Sequence, residues 1–151
     1  MHELGDNVST KSTRVAVPES HRDLLERPLF AHLATIRPDG TPQVNVMWFD
    51  WDGSHLYFTS TTARYKHRNI VRNPAVSVSF HDPDNPYRHL EVRGTVERID
   101  PDSEGGFWLG LAARYGDLVD GPPADVLNRV VYVVRPTVVT SFVRRHPGSV
   151  R

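Results

Sequence analysis

A period of two constrains this chain more than any other feature. From Leu29 to Phe80 apolar and polar residues alternate in short runs, separated by residues that suit tight turns. "LFAHLATIR" is a first strand. Pro38 and Gly40 of the following "PDG" offer a preset φ and a left-handed position for a turn. "TPQVNVMWFDW" is a second strand, Asp52 and Gly53 a second turn and "SHLYFTS" a third strand, the order of a meander. "AVSVSFH", "RHLEVRGTVERI", "RVVYVVRP" and "VVTSFV" continue the strand composition. Three short helices interrupt it. One runs from Pro18 to Arg27 and one spans residues 62 to 73, stopped by Asn73 and Pro74; the third is capped by Asp100 with Pro101 in its first turn and runs to Tyr115. Six or seven strands with a few short helices predict a mainly β barrel or sandwich and not a βαβ sheet.

A chain of 151 residues is about one domain long. Residues 1–17 are polar and aperiodic and read as a flexible N-terminal tail, with a strand ending at Val17 as the alternative. Residues 18–151 are then the folded domain. Lys plus Arg and Asp plus Glu both total 18, so no global basic field draws the protein to nucleic acid or an acidic membrane, and any anion site must be local. The chain has no cysteine, which excludes disulfides and thiolate chemistry. The opening "MHELGDNVSTKSTRVAV" lacks the apolar stretch of a signal peptide, and no segment approaches the roughly 20 apolar residues of a membrane span. A cytoplasmic location is expected. His81, Asp82, Asp84 and His89 lie close in sequence but without a recognisable ligand spacing, so no metal is expected. Walker, G-x-S-x-G and helix-opening G-x-G-x-x-G motifs are missing as well.

Chemistry concentrates in "ARYKHRNI", residues 63 to 70. No carboxylate occurs between Asp52 and Asp82, whereas Arg64, Lys66, Arg68 and Arg72 all do. A solvated helix face explains such a run without function. An anion site explains it too, because the run follows a strand ending in Thr59 and Ser60. Hydroxyls, helix N-terminal amides and guanidinium groups then converge as a phosphate requires. The second strand carries Val44, Val46 and Trp48 on one face and Gln43, Asn45, Met47 and Phe49 on the other. Its mixed amide and apolar face suits either a flat, partly polar ring or an oligomer interface.

The run "LATIRPDGTPQVNVMWFDWDGSHLYFTSTTARYKHRNIVRNPAVSVSF", followed by "DPDNPYRHLEVRGTVERID", resembles the flavin and deazaflavin oxidoreductases of the split β-barrel superfamily, whose fold is that of pyridoxamine phosphate oxidase. The likeness is greatest to the branch using the deazaflavin coenzyme F420, and it is dense over residues 29 to 100. It implies a six- to seven-stranded split β-barrel and a homodimer with the cofactor between protomers. It further implies hydride transfer from reduced F420 to an unsaturated organic acceptor, a small molecule. An FMN enzyme of the same fold and a non-enzymatic F420 carrier are the alternatives. The resemblance places the cofactor phosphate on Arg64, Lys66 and Arg68, with Thr59, Ser60 and Asn69 adding hydrogen bonds. The ring would lie on Gln43, Asn45 and Met47, and Tyr87, Arg88 and His89 would reach the partner's cofactor. Relatives often carry an aromatic residue where this chain has His89, and "GGFWLGLAARYGDLVDGPP" is unusual, so the acceptor and the proton donor are left open.

Overall fold

The computed structural model describes residues 9–13 and 15–144. One sheet contains all eight of the described strands: β1 (Ser9–Thr13), β2 (Ala31–Ile36), β3 (Pro42–Met47), β4 (Asp50–Trp51), β5 (Leu56–Thr61), β6 (Ala75–Asp82), β7 (Asn85–Pro101) and β8 (Arg129–Val143). Its order is β3-β2-β6-β7-β8-β5-β4, every pair antiparallel, with β1 added to the far half of β8. The sheet curls around one apolar core into a split barrel, the form that the resemblance implies among the barrels and sandwiches that the alternation predicts. Two elements lift the count above the six or seven expected. β4 is a two-residue fragment, and β1 falls inside the stretch read as a tail. The sequence "STKST" carries no strand signal; its pairing with β8 is made by backbone groups, which any sequence offers.

The expected meander is broken at one point. β2 and β3 form a hairpin, but the long second strand stops at Met47, and the chain crosses to the other edge of the sheet, where β4 pairs with β5 and β5 with β8. The break lets Phe49 turn fully into the core, edge-on to Phe80 at 4.8 Å. Burial of such a ring contributes about 1.5–3 kcal/mol. β7 and β8 are each longer than expected, 17 and 15 residues, and cross the whole barrel. Their pairing slips beside Gly94, opposite Pro136. A Cβ at Gly94 would sit 2.5 Å from the Arg135 carbonyl oxygen, so the two backbones approach as only glycine permits.

The helices are shorter than their sequence signals. A 3-10 turn (Glu19–His21) leads into α1 (Asp23–Glu26), which buries Leu24 and Leu25; α2 is Tyr65–Arg72 and α3 is Gly106–Arg114. Asp100 and Pro101 are not a helix start: they close β7, opposite Val131 and Val130. The cap of α3 comes from Asp102, whose Oδ1 and Oδ2 accept the Phe107 and Trp108 amides at 3.1 and 3.0 Å. None of the described helices is long and apolar enough to cross a membrane.

Candidate functional site

α2 is pinned to the barrel from below. Ile70 is buried in the core, and the buried Asn69 amide donates to Thr35 Oγ1 and Gln43 Oε1, both at 3.0 Å. Gln43 in turn donates to Asn45 Oδ1 at 3.1 Å. One turn earlier, His67 Nδ1 meets the Tyr132 hydroxyl at 3.1 Å, and burial pushes that phenol up to about 12. These contacts fix where the helix begins. Arg64 stands at its N-cap in extended conformation, without a side-chain cap, and no acidic residue occupies the first turn. The first amides of α2 and the positive end of its dipole are therefore available to an anion.

That helix start opens on a cavity of about 350 Å³. One wall is polar: Thr59, Ser60 and Thr61 from the end of β5, Arg64 and Lys66 from α2, and Arg129 from the start of β8. Asp125 holds Arg129 in place, receiving Nε at 2.9 Å and Nη2 at 3.2 Å. Arg64 and Lys66 have no ion-pair partner among the described residues. Burial, followed by the charges of Arg64 and Arg129, lowers the Lys66 ammonium from its usual range. Ser60 Oγ is buried beside the Tyr132 phenol and makes no hydrogen bond of good geometry. A cationic wall with a buried hydroxyl and an uncapped helix start fits a phosphate group. The opposite wall is apolar and aromatic: Phe30, Val46, Met47, Trp48 and Trp108.

The structure gathers only part of the expected site. Thr59, Ser60, Arg64, Lys66 and Met47 line the cavity. Arg68 does not: it lies over the Tyr65 ring at 5.5 Å, outside the cavity. Every second residue shares a face on a strand, but on a helix Lys66 and Arg68 are about 200° apart. Gln43, Asn45 and Asn69 are joined in the network that anchors α2 and do not line the cavity. Met47 packs on the core as well as lining the cavity. Tyr87, Arg88 and His89 sit elsewhere. All five N–H bonds of Arg88 are engaged, by Asp23, Asp82 and the Ser20 carbonyl, at 2.7–3.1 Å. His89 stacks on Phe142 at 4.7 Å, and burial lowers its basicity. Tyr87 lies under the Arg144 guanidinium at 4.9 Å. No described group of three or more His, Asp or Glu residues could hold a metal ion.

Reading by residue missed Arg129 and the aromatic wall. Arg129 is 57 residues beyond Arg72, and its one local signal is Asp125 at i−4. Trp108 lies in the glycine-rich "GGFWLG", where a tryptophan stands without an apolar period around it.

A family model for pyridoxamine 5'-phosphate oxidase matches residues 17–142. The chain belongs to this family. Among solved structures, one named F420 reductase is 63% identical to this family member, over 82% of this chain and 98% of that one, with a TM-score of 0.80. A conserved hypothetical protein from Mycobacterium tuberculosis is 24% identical over 82% of this chain and 83% of its own, with a TM-score of 0.63. General Stress Protein 26 from Bacillus anthracis is also 24% identical, over 84% of this chain and 97% of its own, with a TM-score of 0.63. At that identity the last two show the fold alone. No curated protein matches the chain.

Proposed function

We propose that this protein is an F420H2-dependent oxidoreductase acting on an unsaturated organic acceptor. The observation that carries the reading is the cationic wall: Arg64, Lys66 and Arg129 meet the uncapped start of α2 and the Ser60 hydroxyl in one cavity. The 63% identity to a structure named F420 reductase supports F420 as the cofactor. Arg64, Lys66 and Arg129 would hold its phosphate, and Thr59, Ser60 and Thr61 would add hydroxyl contacts. Reduced F420, when bound, supplies a hydride from its C5, the chemistry that the side chains lack. The chain's part is to bind, to orient and to keep water from the apolar wall. FMN ends in a phosphate as well, and an FMN enzyme of the same fold is the second reading.

We also infer a homodimer with the cofactor between protomers. Val44 and Val46, 64% and 63% exposed on the outer face of β3, support it, as does Phe30 at the cavity, 56% exposed. Side chains of this kind in a row favour burial against another surface, and a stable interface should exceed about 1,000 Å².

Titration of the purified protein with F420, FMN, FAD and pyridoxal phosphate, combined with its sedimentation behaviour, tests both readings. F420 should bind most tightly, and to a dimer. Tighter binding of FMN would move the protein to the flavin reading, and a monomer with full F420 affinity would remove the shared site. Tight F420 binding without turnover over a broad acceptor panel would make it a carrier.

A further inference from the structure

The segment from Asp102 to Tyr115 gives the cavity Trp108 and backs two more of its aromatic residues. At its end, Tyr115 stacks on Trp48 at 5.0 Å with the rings 11° from parallel, and it meets Phe30 at 5.9 Å. The Tyr115 hydroxyl donates to the Leu29 carbonyl and accepts the Phe49 amide, so both aromatic residues are fixed from behind. At its beginning, the segment places Trp108. Both oxygens of the Asp102 carboxylate are committed to the Phe107 and Trp108 amides, and the Asp102 amide donates to the Arg129 carbonyl at 2.9 Å. Gly105, at φ +76°, completes the turn, and a Cβ there would lie 2.9 Å from Pro122 Cβ. Trp108 is thereby tied through one short path to the backbone of a cationic residue in the same cavity.

Packing does not require this tryptophan. α3 is anchored by the buried Leu111 and Ala112 and by Arg114, whose guanidinium donates to the carbonyls of Phe49, Leu25, Glu26 and Arg27. Its neighbour Phe107 turns away to Tyr57, 6.2 Å between rings. Trp108 is half-buried, is not part of the core, lines the cavity and makes no ring contact with another described residue. Trp48 is different, because Tyr115 covers it. An indole on the lining of a cavity that also carries Arg64, Lys66 and Arg129 suits a ligand with an anionic end and a flat conjugated body.

We propose that Trp108 is a specificity-determining residue, stacking on the flat ring of the phosphate-bearing ligand that Arg64, Lys66 and Arg129 hold. The assignment rests on the anion-site reading above. It explains why an aromatic residue sits at the glycine-rich start of α3: the Asp102 cap and Gly105 set the indole position, and the indole selects ligands with a π face over other phosphates.

The test is a crossed titration. Wild type, Trp108→Leu, Trp108→Phe and Lys66→Ala are titrated with F420 and with a phosphate-free deazaflavin analogue, and each melting temperature is measured. Leucine keeps apolar bulk without a π face, so Trp108→Leu should bind F420 about tenfold more weakly, while Trp108→Phe should stay within about threefold of wild type. The Trp108→Leu loss should be the same for the analogue, which retains the ring. Lys66→Ala should instead weaken F420 far more than the analogue. F420 affinity of Trp108→Leu within about twofold of wild type would overturn the assignment and leave the anion site standing. So would a Trp108→Phe variant as weak as Trp108→Leu, which would mark a packing role. Equal effects of Lys66→Ala on the two ligands would bring down the anion-site reading, and with it this assignment.

Discussion

Two groups of cations in this molecule have opposite surroundings. Arg88 lies between Asp23 and Asp82, with every N–H bonded, and ties α1 to the β6–β7 turn. Arg64 and Lys66 line a cavity, are crowded by Arg129 and have no carboxylate partner among the described residues. The first arrangement neutralises charge inside the fold and leaves no donor for a ligand. The second keeps positive charge in excess at a concave surface, which folding alone does not favour and an incoming anion relieves. A saturated arginine is thus a structural clamp, whereas an unpaired cation beside an uncapped helix keeps its donors for a ligand. Tyr87-Arg88-His89 looks as polar in sequence as Arg64 to Arg68, and only the partners separate them.

The largest effect that tests this contrast is expected at Lys66. Lys66→Ala removes a charge-assisted contact, so F420 affinity should fall about ten- to a hundredfold, while the melting temperature should not fall, since the partly buried ammonium has no ion-pair partner among the described residues to lose. Calorimetric titration beside a thermal melt separates the two quantities. An unchanged affinity would erase the contrast and return α2 to a solvated face.

Arg88→Ala should behave in the reverse way. Asp82 is only 13% exposed, and it and Asp23 would be left without the guanidinium, so stability should fall by about 1–2 kcal/mol, discounted for the 41% exposure of Asp23. Affinity for F420 should stay within about twofold. Lost affinity with unchanged stability would mean that Arg88 reaches a cofactor after all, across a dimer.

The smallest effects are in pH. Hydrogen bonds from Arg88 hold the Asp23 carboxyl down at about 2, from 3.8. A depressed carboxylate stabilises the fold above its unfolded pKa, so this contribution should be complete above about pH 4 and disappear as the pH falls towards 2. It should be missing from that window in Arg88→Ala. Lys66 has the opposite sign. Its lowered pKa in the free protein means that the ammonium is lost at a pH below the ordinary lysine range. Phosphate favours the charged form, so F420 affinity should be level at neutral pH and begin to decline on the alkaline side earlier than an ordinary lysine would permit. Equal pH profiles for wild type and Lys66→Ala would show that Lys66 takes no part.

The sequence by itself determined the class of fold. Alternation along Ala31–Ile36 and Ala75–Asp82 places Leu33, Val78 and Phe80 inside, because a strand sends successive side chains to opposite faces whatever its partners are. It also pointed to the start of one helix as the candidate anion site: a run of cations without a carboxylate, directly after two hydroxyl residues, is a local property of the chain. Tertiary structure decided the rest. The kink at Phe49 turned one long apparent strand into two at opposite edges of the sheet, with the ring buried in the core. The polar face of β3 went to anchoring α2, because Asn69 lies within reach of Gln43. Arg129 and Trp108 joined Lys66 although 63 and 42 residues away along the chain. No local pattern announces such a meeting: a cavity is defined by which surfaces the packed core brings face to face, and that depends on the closure of the whole barrel.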